Sequence, residues 1–115
     1  MTSPASSEAA GLLVAYEGPA TSFEGLVGAD FFVQRPHHAR LECNLQLAFD
    51  ARAMIEAKTG PLGDAQLQAL LRALATWYYG RQAARGAAIL PIVTLRAADL
   101  PAAHLAAVLT AAGLA

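Results

Sequence analysis

The sequence predicts one α+β domain, with a small and largely antiparallel sheet of about four strands. Two main helices, at about 64–80 and 100–112, are expected to pack on one face of that sheet. Between Leu41 and Asp50, apolar and polar residues alternate, which is typical of a strand with one buried face and one wet face. In the first of the two helices, leucines recur at the i, i+3, i+4 and i+7 spacing, which predicts an amphipathic helix.

The first part of the chain is predicted to supply three strands. Leu12–Tyr16 begins with apolar residues on both faces, which favours a central or well-covered strand, and Gly18-Pro19 is expected to end it. In the glycine-rich loop that follows, Thr21-Ser22-Phe23-Glu24 fits a capping box and predicts a single helical turn. Phe31–Gln34 reads as a second strand, and a turn at Arg35–His38 joins it to the alternating strand in an antiparallel hairpin.

Two helices are predicted next along the chain. Asp50 is suited to cap a short helix at 50–58, although the same residues could pair as another strand, and we favour the helix. Asp64 is a good N-cap for the long helix. Its end falls at Gly80 or at Gly86, because glycine at either position can terminate a helix.

The last part of the chain predicts a strand and a helix. Ala88–Leu95 is rich in β-branched and other apolar residues, but Pro91 cannot donate a ladder hydrogen bond. This strand is therefore expected at a sheet edge or broken at a bulge. Asp99 or Leu100 is expected to cap the final helix, which has Pro101 in its first turn.

Composition limits the class of protein and its partners. A chain of 115 residues suits one core, so we expect a flexible leader at 1–10 and a single domain at 11–115. Hydrophobic residues make up 56% and charged residues 15%, whereas a typical domain has about 25% charged residues. The net charge is −1 and the eight cations are scattered, so we expect no nucleic-acid partner.

The same composition bears on the cellular setting. No run of about 20 apolar residues is present, so we expect a soluble protein with no membrane partner. The single cysteine allows no internal disulfide, and nothing calls for an oxidising compartment. We expect a cytoplasmic protein, or one inside a cytoplasmically assembled particle. The excess of alanine and arginine suggests a bacterial or phage origin.

Few residues are candidates for chemistry. His37 and His38 are adjacent, but neighbours in an extended segment point apart, so they are expected to be solvated turn residues and not metal ligands. Glu42 and His104 complete a weak set of acid–base candidates. Cys43 lies on the apolar strand face, where packing is expected. No nucleotide, metal or nucleophile motif occurs, so we expect no cofactor and no metal, and lean away from catalysis.

Trp77-Tyr78-Tyr79 is the most informative segment for function. Successive helical residues are about 100° apart, so three consecutive aromatic side chains cannot all face one core. At least one ring must lie at a boundary, on the surface or against another chain, and tryptophan and tyrosine are enriched in interfaces. A boundary ring that covers the core edge remains the alternative. The wet strand face, with Arg40, Glu42, Asn44 and Gln46, is the next candidate contact surface.

These observations favour a non-enzymatic interaction or assembly protein that acts as a homo-oligomer or in a larger complex. The order of the first strand, a glycine-containing connection, the alternating strand and a helix is similar to that of small tail-completion proteins. That resemblance implies a phage-tail or secretion-machine component as one form. A small oligomeric enzyme or ligand-binding protein, with a pocket between sheet and helices, is the first alternative. An antitoxin, immunity protein or secretion chaperone is the second.

Overall fold

The computed structural model describes residues 11–21 and 25–115, which form a four-stranded mixed sheet with three α-helices on one face. The strands are β1 (Leu13–Thr21), β2 (Val27–Gln34), β3 (Leu41–Leu47) and β4 (Ile92–Leu95). The helices are α1 (Phe49–Thr59), α2 (Asp64–Ala84) and α3 (Ala102–Ala111), and a single 3₁₀ turn (Ala97–Asp99) precedes α3. The predicted α+β class is therefore confirmed.

The strands follow the order β1-β2-β3-β4 across the sheet. β1, β2 and β3 form an antiparallel meander, and the predicted hairpin of the second and third strands is confirmed, with Phe31 opposite Cys43. β4 pairs parallel to β3, with Ile92 beside Asn44. A parallel neighbour requires a crossover connection, and here α1 and α2 supply it.

β1 differs from its prediction in length and position. It does not end at Gly18-Pro19 but continues to Thr21, through a register shift between Tyr16 and Gly18. Among the described strands it lies at a sheet edge, not in the centre, and Leu13 is 48% exposed. The edge position explains why β1 does not end at Gly18-Pro19 as predicted. Proline is tolerated in an edge strand where its missing N–H would face away from the sheet.

β2 begins at Val27, so part of the predicted loop is strand. Gly28 makes this possible, since a Cβ there would lie 2.9 Å from the Leu45 carbonyl oxygen. The helical turn predicted at 21–24 falls outside the described residues, except that Thr21 is the last residue of β1. The leader predicted at 1–10 also lies outside them.

The helix favoured at 50–58 is confirmed as α1, but the predicted cap is wrong, because Asp50 lies in the first turn and Ala48 is the N-cap. Asp64 is likewise the first residue of α2, whose N-cap is Gly63. α2 runs past Gly80 and stops before Gly86, whose φ of 68° is typical of a glycine that ends a helix. α3 begins only after Pro101, because the 3₁₀ turn occupies the predicted cap region. β4 is shorter than predicted, but its place at the sheet edge is confirmed.

One hydrophobic core fills the space between the sheet and the helices. The leucines of α2 that were predicted to face inward are buried, namely Leu67, Leu70, Leu71 and Leu74. They pack with the inward residues of β2 and β3, and Cys43 is among these at 4% exposure. No charged or polar residue is buried in the described part of the chain. Within that part, no helix combines the length and apolar character needed to cross a bilayer.

Candidate functional surface

The outer face of the sheet carries no helix, and polar side chains pair across it. Arg40 lies at the centre of one group, because its Nε donates to Glu42 at 2.8 Å and its Nη2 donates to Glu17 at 2.5 Å. The guanidinium also lies 3.8 Å from the ring centre of Phe32, a cation–π geometry. Side chains from all three antiparallel strands and from Arg40, which precedes β3, are thus held together on this face.

A second group continues along β3. Asn44 Nδ2 donates to Asp30 Oδ1 at 3.0 Å, and Gln46 Nε2 donates to Asn44 Oδ1 at 2.6 Å. Arg40 and Gln46, both predicted as contact residues, therefore lie on one face, as the alternation of β3 predicted. Hydrogen bonds thus connect neighbouring side chains along the outer face of the sheet.

The ion-paired carboxyls perturb one another. A hydrogen bond with Glu42 is the main cause that raises the pKa of Glu17. The same contact and the bonds to Arg40 lower the pKa of Glu42, and Glu42 in turn raises the pKa of Arg40. All three groups are open to water, so they resemble a surface ion pair more than the buried acid of an enzyme.

The two adjacent histidines lie in the turn between β2 and β3, and both are exposed. His37 has a positive φ of 65°, and His38 directs Nδ1 at the Pro36 carbonyl oxygen, 2.8 Å away. Among the described residues, no cluster of three or more His, Cys, Asp or Glu side chains could hold a metal ion. Glu42 is on the outer sheet face and His104 is on α3, so the four acid–base candidates are not assembled into one site.

His104 joins α3 to α2. Its Nδ1 accepts a hydrogen bond from Trp77 Nε1 at 2.9 Å, which requires the ring tautomer that carries its proton on Nε2. Arg81 Nη1 lies 2.9 Å from the same nitrogen, and its guanidinium is 5.6 Å from the ring centre of Trp77. The histidine therefore fixes the orientation of Trp77, and its Nδ1 lone pair is already engaged.

Tyr79 and Cys43 belong to the core. The Tyr79 ring has 0% exposure and packs edge-on against Phe31, so this residue of the aromatic triplet cannot contact a partner in the folded chain. Burial raises the pKa of the Tyr79 hydroxyl and of the Cys43 thiol. A thiol that stays protonated is a poor nucleophile, and the packing role expected for Cys43 agrees with its position.

Trp77 and Tyr78 instead border a groove at the β4 edge of the sheet, which we call the edge groove. Its volume is about 410 Å³. One wall is the second half of α2, and the other is β4 with the residues before and after it. The lining residues are Trp77, Tyr78, Arg81, Gln82, Arg85, Leu90, Ile92–Leu95, Asp99 and Pro101. Two of them are large, apolar and open to solvent, since Leu90 is 55% and Ile92 is 68% exposed.

The backbone of β4 adds hydrogen-bonding capacity to the edge groove. The carbonyl oxygens of Pro91 and Leu95 accept from β3 and from the residue after it, at 2.7 and 2.9 Å. In a parallel ladder the bonding direction alternates along a strand, so the N–H and C=O groups of Ile92 and Thr94 point away from β3. The edge groove thus combines open backbone groups, exposed apolar side chains and aromatic rings.

A second groove, of about 470 Å³, runs between α2 and α3. Its lining is mostly alanine, and α3 itself contains no Asp, Glu, Lys or Arg. Small side chains leave a shallow surface, and its polar groups come from Arg72, Thr76 and Trp77 on α2. The wall that α3 supplies is uncharged, whereas the wall from α2 carries Arg72.

No protein-family model, no curated protein and no solved structure matches this chain. The residue types and their arrangement must therefore carry the functional argument. The sequence singled out Trp77 and Tyr78 as candidate contact residues, but not Leu90, Ile92 and Arg85, which line the same groove. The predicted edge strand Ala88–Leu95 could have pointed to Leu90 and Ile92, since an edge strand leaves some of its apolar side chains exposed.

Proposed function

We propose that this protein is a non-enzymatic interaction or assembly protein that works as a homo-oligomer or in a larger complex. The edge groove is its main contact surface, and the outer sheet face around Arg40 and Gln46 is the second. One observation carries the proposal: Leu90 and Ile92 are exposed beside an open strand edge and two half-buried aromatic rings. Edge strands invite pairing with another chain unless charge, proline or a bulge protects them.

The character of the edge groove supports a protein partner over a metabolite. Protein interfaces are enriched in aromatic residues and arginine and are poor in lysine and glutamate. The groove follows that rule, with Trp77, Tyr78, Arg81 and Arg85 and a single carboxylate from Asp99. Its acid–base content is low, and the only histidine nearby already bonds Trp77.

The element order and the single cysteine bear on the kind of complex and on the compartment. A component of a phage tail or secretion machine is one form of such a protein, on the similarity of its element order to small tail-completion proteins. Because the single cysteine is buried and unpaired, a reducing compartment such as the cytoplasm suits the chain.

The test is the mass of the chain in solution, measured by native mass spectrometry and by sedimentation over a wide concentration range. We expect the native chain to associate into species heavier than 11.9 kDa. Replacing Leu90→Ser and Ile92→Ser together should weaken association by at least ~10-fold, because burying one such side chain contributes about 1.5–3 kcal/mol. Both residues are exposed, so the fold should be retained, with an unchanged circular dichroism spectrum.

Leu13→Ser is the matched control, because Leu13 is also exposed but lies on β1 at the opposite edge. It should leave the association constant unchanged. A monomer that carries one equivalent of a metal or metabolite would contradict the proposal and favour the ligand-binding alternative. Equal weakening by both sets of substitutions would show that the edge groove has no special role.

A further inference from the structure

We infer that β4 pairs antiparallel with β4 of a second copy, so that the two sheets join into one continuous eight-stranded sheet. The inference rests on the proposed function and names the partner of the edge groove. The open backbone groups belong to Ile92 and Thr94, which are the alternate residues of β4. In the register centred on Val93, Ile92 of each copy lies opposite Thr94 of the other, and both exchange their hydrogen bonds.

The charges around β4 favour a second copy of this chain in that orientation. At the start of β4, Arg85 lines the groove and Arg35 donates to a backbone carbonyl of the preceding loop at 2.7 Å. At its end, Asp50 and Asp99 accept backbone N–H groups of the residues that follow the strand, at 3.2 and 2.8 Å. Arg96 also lies at this end, and Arg81, beside His104 on α3, lines the same groove. The start of β4 therefore has arginines alone, whereas its end has both carboxylates.

An antiparallel copy places unlike ends together. A twofold axis perpendicular to the sheet at Val93 brings the arginine-only end of each β4 beside the end of the other that bears the two carboxylates. A parallel copy would place like charges side by side. The edge is thus self-complementary in charge, as an isologous interface requires, since each surface patch must match itself.

The same axis keeps the helices of both copies on one side of the joined sheet. The edge groove of one copy then faces the edge groove of the other, so Trp77 and Tyr78 lie where the two helical layers meet. Leu90 loses exposure in the same step, and the Ile92 side chain, which shares the outer sheet face with Asn44, is covered there by Thr94 of the second copy. This accounts for aromatic rings that are only half-buried in the single chain.

The opposite edge of the sheet does not offer the same contact. β1 has a register shift at Tyr16 and contains Pro19, and both features hinder the addition of another strand. With one usable edge in the described part of the chain, the pairing closes after two copies. We therefore expect a dimer with twofold symmetry and no filament or larger ring through this contact.

Disulfide trapping tests the pairing with the full-length chain. One preparation carries Ile92→Cys and the other carries Thr94→Cys, and they are mixed and exposed to a mild oxidant. The Cα atoms of hydrogen-bonded antiparallel partners are about 5.5 Å apart, within the range that a disulfide spans. We expect most of the mixed dimer to become covalent, at least ~10-fold faster than a Leu13→Cys control, since a disulfide needs the two Cα atoms within reach. The native chain, with only the buried Cys43, measures the background.

The outcomes separate this inference from the proposed function. Fast cross-linking within the Ile92→Cys or Thr94→Cys preparation alone would still support edge pairing, in a neighbouring register. If the native chain forms a dimer but no β4 cysteine cross-links faster than the Leu13→Cys control, the edge pairing is wrong and another surface drives assembly. If every preparation is monomeric, both the pairing and the homo-oligomeric function are wrong. A cyclic assembly of more than two copies would also overturn the twofold arrangement.

Discussion

At the scale of single residues, Tyr79 stands out because its buried hydroxyl has no oxygen or nitrogen partner among the described residues and has the Cys43 sulfur, a weak acceptor, beside it. An unsatisfied buried polar group costs about 1–3 kcal/mol. Removing it by Tyr79→Phe keeps the ring against Phe31 and should raise the free energy of unfolding by about 1 kcal/mol. Urea unfolding monitored by circular dichroism measures the change.

The neighbouring Cys43 thiol makes this prediction sharp. Cys43 lies close enough to Tyr79 to perturb its pKa; its S–H donates to the Leu41 carbonyl oxygen at 3.8 Å, and its sulfur is at best a weak acceptor for the Tyr79 hydroxyl. If Tyr79 nevertheless donates to the sulfur, Tyr79→Phe would lower stability, and the expected sign would be reversed. Tyr78→Phe is the control, because that side chain is only half-buried, and little change in stability is expected.

The aromatic triplet also shows how far residue-level prediction reaches. Helical geometry alone predicted that Trp77, Tyr78 and Tyr79 could not all face the core, and the structure agrees. Which ring is buried depends on the rotation of α2 about its axis. Strand residues distant in sequence, such as Phe31, set that rotation, and the spacing of the triplet carries no information about them.

At the scale of elements, α2 contains a glycine that its structure does not need. Gly80 is in the helix interior, and a Cβ there would meet no atom within 4 Å. Gly80→Ala should therefore stabilise the protein by about 0.5–1 kcal/mol, the difference in helix propensity. Thermal unfolding of the two chains under identical conditions measures this.

Gly86→Ala is the matched control at the end of the same helix. Its φ of 68° is unfavourable for a residue with a Cβ, so the same substitution should destabilise the protein by about 1 kcal/mol. Opposite signs for the two glycines would confirm that α2 passes Gly80 and ends before Gly86. A loss of stability at Gly80 would mean that the helix ends there, as one of the two alternatives in the sequence allowed.

Element types were predicted better than their ends. Periodicity identified β3 and α2 because each has one buried face, and burial is what periodicity reports. Both the end and the central position predicted for β1 were wrong, and the two errors are linked. Proline ends a central strand but is tolerated in an edge strand. Strand order is a long-range property, so no local pattern around Gly18 could resolve the two cases.

At the scale of the whole molecule, the core lies on one side of the sheet only. Two neighbouring residues of β3 test this layering, because Leu45 faces the helices with 0% exposure and Gln46 faces outward. Leu45→Ala should cost about 2–5 kcal/mol, as large-to-small core substitutions do. Gln46→Ala should cost less than about 1 kcal/mol, since it removes one hydrogen bond on an open face. Equal losses in denaturant unfolding would show that the outer face is covered in solution.

The parallel pairing of β4 has a consequence for the order of events during synthesis. Ile92 lies beside Asn44, so 48 positions of chain separate the two partners, and both crossover helices must be placed before the strands meet. Closing so long a loop is entropically unfavourable until the intervening contacts compensate. A ribosome-bound chain that has not yet released β4 can display the meander but has no β4 edge to offer. The pairing proposed for that edge is therefore closed to chains that have not yet released β4, so neighbouring nascent chains on one message would not pair prematurely through it.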